Sequence, residues 1–259
     1  MLAYGSSSYL RVFLEERFSY IFNFKMKIAL RYIITSLFIT AVLYLMSIWI
    51  LCKVQYNKLP AIYLLISDYA APNGGFTYQS SLEWSDTAHY DVVVMGASKA
   101  QRGYDPVFFD SVGVKLFNLG TPAQSISNTW HLLENHIHAG NVKEVWLDIV
   151  PGQFKDGSIE STSDLIQNWI PQKTALEIAI DSKDIRSINL WMKRIFCSNS
   201  VLTDDKSKYK GRGFVEVDAT LSKDLLTKVE NNEIPQYDHP FVEIGANSIQ
   251  DFESILAFC

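Results

Sequence analysis

The sequence predicts one membrane-spanning helix followed by an α/β domain with a mostly parallel sheet. Three observations carry this. Tyr32 to Cys52 is a run of 21 residues without a charge. From Tyr90 to Val150, short β-branched runs alternate with helical patterns. Charge is unevenly divided: residues 1–52 hold five basic and two acidic side chains, net +3, and the remainder holds 18 basic and 26 acidic, net −8.

At ~1.5 Å rise per residue the charge-free run crosses a hydrocarbon core of roughly 30 Å. It has no polar face, as a buried soluble helix normally would. Tyr32, Tyr44 and Trp49 lie near its ends, where aromatic rings favour the interface. A cleaved signal peptide would have a shorter apolar stretch and small residues at the cut, whereas Lys53-Val54-Gln55-Tyr56 follows here. Lys25, Lys27 and Arg31 crowd the N-terminal flank against Lys53 and Lys58 beyond it. The positive-inside rule therefore puts residues 1–31 in the cytoplasm and the main domain outside the cell membrane. Within 1–24, Leu10, Phe13, Leu14, Phe18 and Ile21 recur at helical spacing, as in an interfacial helix. Met26-Lys27-Ile28 reads as a natural start, with the first 25 residues as an upstream extension.

Cys52, Cys197 and Cys259 are odd in number and widely spaced, which predicts neither a disulfide framework nor a zinc site. Cys52 reads as a membrane-edge residue. Trp49, Ile50 and Leu51 stand where a lipidated cysteine would have small residues.

Residues 53–85, broken by Pro60, Pro72, Gly74 and Gly75, read as a neck, and 86–259 as the domain. Asp91-Val92-Val93-Val94-Met95 has no polar alternation, as expected of a strand buried on both faces. A short helix or turn is expected at Pro106–Ser111, a second strand at Lys115–Asn118, and a helix at Ser127–His138 with Trp130, Leu132, Leu133 and Ile137 apolar. A third strand runs from Val142 to Val150. This order is that of parallel βαβ units. Further on, Ile185–Phe196 is an amphipathic helix, Lys208–Phe214 a loop with two glycines, and Ser222–Val229 and Ser248–Phe258 helices. An apolar helix in such a fold normally passes the chain to another strand. Either the fold closes unusually or the chain lacks its C-terminal part, and the second is expected.

Ligands of open parallel sheets bind beyond the C-terminal strand ends. Gly96-Ala97-Ser98, Asn118-Leu119-Gly120 and Pro151-Gly152-Gln153 should converge there. Ser98 follows the first strand, where a nucleophilic hydroxyl would stand; the plainer reading is a helix N-cap. Gly120 has no side chain to keep a ligand from its amide, which with that of Ser98 would stabilise an oxyanion; the plainer reading is a turn glycine. Gln153 would add a side-chain donor, or be a solvated loop residue.

Val94-Met95-Gly96-Ala97-Ser98 with Arg102-Gly103-Tyr104-Asp105-Pro106 resembles the first block of the SGNH/GDSL-type hydrolases. It is most similar to their membrane-anchored branch, which contains D-alanyl-lipoteichoic acid transfer and alginate acetylation proteins. Phe117-Asn118-Leu119-Gly120 with Gln124-Ser125 resembles the second block, and Leu147-Asp148-Ile149-Val150-Pro151-Gly152-Gln153-Phe154 the third-strand segment of that branch. The resemblance covers about residues 88–155. It implies a three-layer α/β/α fold, Ser98 as nucleophile, Gly120 as an oxyanion donor and a third donor near Gln153, where soluble members carry asparagine. That asparagine is absent, as is the family's Asp-x-x-His block.

A serine nucleophile needs a base. The histidines are 89, 131, 136, 138 and 239. The middle three read as surface residues on or near a helix, and Asp238-His239 are adjacent rather than spaced. The expected function is an anchored extracytoplasmic serine esterase or O-acyltransferase acting on cell-envelope carbohydrate. The alternatives are a non-catalytic envelope or polysaccharide-binding protein with a degenerate hydrolase fold, and an anchored scaffold in which Ser98 only caps a helix. No phosphate loop, Gly-x-Gly-x-x-Gly or helical His pair is present, so no cofactor and no metal are expected. The expected partners are the lipid bilayer and an envelope polysaccharide or acyl-donor membrane protein. An acidic domain without a basic stripe excludes nucleic acid.

Overall fold

The structure, a computed structural model, describes residues 6–57, 59–66, 75–155, 158–197, 208–217, 227, 231 and 244–258, and side chains from Met26 onward. The chain divides after Leu51 into two compact units. The first is the body of helix α1 (Ser6–Lys53), which runs unbroken because no glycine or proline occurs between its ends. Its stretch Met26–Lys53 is long and apolar enough to cross a membrane. Of the large apolar side chains along it, Leu37, Phe38 and Leu43 are exposed and Ile48 is buried.

The second unit is a mixed α/β domain around a parallel three-stranded sheet. β1 (Gln55–Tyr56) and β2 (Leu59–Pro60) form a small antiparallel pair, and a 3-10 turn follows at Ala61–Leu65. After α2 (Gly75–Glu83) comes β3 (Tyr90–Gly96), the central strand. α3 (Ser98–Gly103) and α4 (Pro106–Ser111) lead to β4 (Leu116–Asn118), and α5 (Ile126–His136) leads to β5 (Val142–Asp148). The order is β4-β3-β5, with Val94 opposite Asn118 and Gly96 opposite Asp148. All three expected strands form, and β3 is buried on both faces, as its unbroken apolar run required.

Successive β3 side chains point to opposite faces, so Tyr90, Val92 and Val94 share one parity and Val93 and Met95 the other. Val92 and Val94 pack with Leu116 against Ala100, Tyr104 and Phe109. Tyr90 and Phe117 meet Trp84, with ring centroids 5.1 and 5.0 Å away, and Trp84 meets His136 at the end of α5. β5 ends at Asp148, two residues earlier than expected, and is more exposed than β3.

The described residues between 53 and 85 fall within the same compact unit as the rest of the domain. Ala61 and Ile62 are buried, and Thr77 of α2 hydrogen-bonds Asp164. The periodicity was invisible because the buried positions of α2, Thr77 and Ser80, are polar. Downstream, α6 (Ile159–Asp164) runs into a π-helical turn at Leu165–Trp169, then α7 (Gln172–Asp181) and α8 (Ile185–Phe196). The expected loop at Lys208–Phe214 is a hairpin of β6 (Tyr209–Gly211) and β7 (Phe214–Val215). Its turn holds Arg212 and Gly213 at φ of 46° and 83°, the paired positive values of a tight hairpin turn. Gly213 is also required because a Cβ there would fall 1.7 Å from the Asn118 carbonyl oxygen. α9 (Ala246–Phe258) packs on α5, with Phe258 meeting Trp130 and Phe252 meeting Phe154. The helix expected at Ser222–Val229 lies outside the described residues, apart from Thr227.

Cys52 and Cys197 form a disulfide, with Cα atoms 5.2 Å apart. This corrects the reading of the cysteines as unpaired and of Cys52 as a mere membrane-edge residue. Sequence spacing could not reveal it, because the partners lie 145 positions apart and are joined only by the fold.

Candidate functional site

The three segments expected to converge do so. Parallel pairing places the ends of β3, β4 and β5 on one edge, with Leu119 N donating to Val94 O at 2.7 Å and Thr121 N to Gly96 O at 3.2 Å. Ser98 is the first residue of α3, directly beyond the central strand. The cap position belongs to Ala97, and no side chain caps the helix. Ser98 is half-buried, and among the described residues nothing hydrogen-bonds its hydroxyl. The helix-cap reading therefore does not hold.

Gly120 lies in the adjacent turn, and the reason for a glycine is steric. A Cβ would stand 2.8 Å from Gln101 N and 3.1 Å from Ala100 Cβ, because α3 passes directly against it. Its amide, however, donates to Asn118 Oδ1 at 2.9 Å. The same side chain donates from Nδ2 to the carbonyls of Ala100 at 2.7 Å and Tyr104 at 3.2 Å. Asn118 is thus a buried bracket between the end of β4 and the far end of α3, and the Gly120 N–H is engaged by it.

Gln153 is buried in a 3-10 turn (Pro151–Phe154) rather than solvated. Its Oε1 accepts from Val150 N at 2.8 Å, and its amide nitrogen has no partner among the described residues. Gln153 lines a cleft of about 420 Å³, together with Ala97, Gln124, Ser125, Lys155 and Glu160. Ser98 itself is not among the lining residues, although its neighbour Ala97 is. The cleft's wall is held by a buried network that sequence reading missed. Gln124 accepts from the Thr121 amide and hydroxyl and donates to Thr129 Oγ1 at 2.9 Å, while Ser125 caps α5 by accepting from Asn128 N. The available signal was a serine ahead of an apolar-periodic segment.

The described histidines stand elsewhere. His89 pairs with the Gly140 carbonyl, beside the opposite end of the sheet, and His136 with that of Trp169. His131 is half-buried: its Nδ1 is buried with no hydrogen-bond partner among the described residues, and burial holds its pKa below the ordinary value. None of these hydrogen-bonds Ser98, and His239 lies outside the described residues. No cluster of metal-ligating side chains occurs among the described residues.

A second polar centre lies between α2 and α6. Asp164 is buried, receives a hydrogen bond from Thr77 Oγ1 at 3.1 Å, and has its pKa raised to about 7, chiefly by burial and further by Glu160. No family model matches the chain, and neither a curated protein nor a solved structure does.

Proposed function

We propose that this chain is a membrane-anchored, extracytoplasmic protein with an SGNH-like three-layer domain, acting as a serine esterase or O-acyltransferase on cell-envelope carbohydrate. The observation that carries the reading is the position of Ser98. Its hydroxyl, which caps no helix and meets no partner among the described residues, follows the central parallel strand, on the edge shared with the Gly120 and Gln153 turns. Packing of α3 and α4 against Val92 and Val94, with Ile126 and Thr129 of α5 beside Met95 of the opposite parity, supports the layered fold. Ser98 Oγ would attack an ester carbonyl carbon and pass its proton to a base. The leaving oxygen would depart with a proton, and water or a sugar hydroxyl would then resolve the acyl-serine.

Two observations support an N-terminus in the cytoplasm and a domain outside: the basic flank before the span, and a disulfide immediately beyond it, which persists in oxidising compartments. A second reading, a non-catalytic polysaccharide binder, is favoured by the engagement of the Gly120 amide by Asn118 and by the lack of a described histidine at Ser98. Labelling of the full chain with a fluorophosphonate separates the two. Labelling that Ser98→Ala abolishes supports the enzyme; a folded chain that resists the probe supports the binder.

A further inference from the structure

The first residues beyond the span carry an apolar surface that the proposed reaction does not use. Val54, Tyr56, Leu64, Leu65 and Ile195 are all exposed, Leu64 at 65% and Tyr56 at 56%. Isolated exposed apolar residues are ordinary. These five instead lie on three segments tied to one another. The β1–β2 pair closes back on itself through Ala61 N donating to Val54 O at 2.8 Å. The 3-10 turn Ala61–Leu65 is fixed to α8, because Asn189 Nδ2 donates to Leu65 O at 2.6 Å and Lys193 Nζ lies 5.0 Å from the Tyr63 ring centroid. The Cys52–Cys197 disulfide fastens the end of α8 to the residue that ends the apolar run.

The chemistry of the stretch matches a lipid headgroup layer. Residues 53–66 hold two lysines and no carboxylate, in a chain whose remainder beyond residue 52 is strongly acidic. Tyrosine and lysine beside aliphatic side chains are what the interface of an anionic bilayer accommodates.

We infer that Val54, Tyr56, Leu64, Leu65 and Ile195 form a membrane-apposed face, seated in the headgroup layer next to the point where the chain leaves the bilayer. The inference rests on the reading of α1 as an anchor. The face is continuous in sequence with the apolar surface of the span, and the disulfide prevents Ile195 from leaving that neighbourhood. The bilayer thus limits the domain's rotation, rather than merely tethering it.

The test uses the full chain in nanodiscs of mixed neutral and anionic lipids. Leu64, Ile195, Leu37 or Val112 is replaced singly by p-acetylphenylalanine carrying a nitroxide, which leaves the cysteines intact. Collision with oxygen and with a water-soluble nickel chelate then reports depth. The expected result is that labels at 64 and 195 lie about 5–10 Å into the interface, with an oxygen-to-nickel ratio severalfold above that of Val112, the exposed residue that follows α4. Nickel access equal to that at Val112 overturns the inference while leaving the anchor standing, provided Leu37 reads as lipid-exposed. Shielding of positions 64 and 195 from both reagents overturns it in favour of a protein contact. A Leu37 label open to nickel overturns the anchor reading and this inference with it.

Discussion

Asn118 Oδ1 accepts the amide proton of Gly120, two residues ahead, at 2.9 Å. The other half of that carboxamide holds the carbonyls of Ala100 and Tyr104, so one buried side chain sets the distance between the Ser98 helix and the turn after β4. Asn118→Ala should leave the Gly120 amide and two carbonyls short of partners in a buried site, at a cost of about 2–4 kcal/mol. A urea midpoint unchanged from the parent chain would contradict the bracket.

Ser98→Ala should behave differently. Because the hydroxyl neither caps α3 nor meets a partner among the described residues, the change in stability should stay within about 0.5 kcal/mol. A loss of about 1 kcal/mol or more, the usual result of removing a cap, would restore the scaffold interpretation.

Asp164 makes stability depend on pH. Its folded pKa, about 7, lies above the ordinary carboxylate value of 3.8, so the folded state binds the proton more tightly than the unfolded one. Its contribution is fully favourable below pH 3.8, declines as pH rises, and is lost above about 7. The shift corresponds to about 4 kcal/mol. Asp164→Asn should remove this slope and make the domain more stable than the parent at pH 8, with little difference near pH 4. Parallel urea titrations of the two proteins at several pH values would show the curves converging in acid, and parallel curves would refute the assignment.

The disulfide gives a chemical readout of compartment. In native membranes, denatured chain should offer maleimide one thiol, that of Cys259, and three after reduction. Cys197→Ser should lower stability by about 2–5 kcal/mol. Three reactive thiols without reductant would place the domain on the reducing side and reverse the proposed orientation.

The sheet and its flanking helices were legible because burial wrote itself into local pattern. Val92–Met95 has no polar interruption, and Ile185–Phe196 repeats its apolar residues at helical spacing. What escaped depended on contacts distant in sequence or on polar burial. The glycines at 211 and 213 look like a loop until Arg212 at positive φ makes them a hairpin turn. Thr77 and Ser80 conceal the inner face of α2 because they are hydroxyls. At the candidate site the positions of Ser98, Gly120 and Gln153 could be foreseen from strand ends. The engagement of the Gly120 amide could not, since a carboxamide two residues away has no signature in spacing.

The Cys52–Cys197 bond closes a ring of chain that contains all three strands of the sheet. A protease that nicks a loop inside that ring, between α2 and α8, will not shed the domain. The disulfide keeps both pieces covalently joined until a reductant opens it, whereas a piece cut off after Cys197 is held by packing alone.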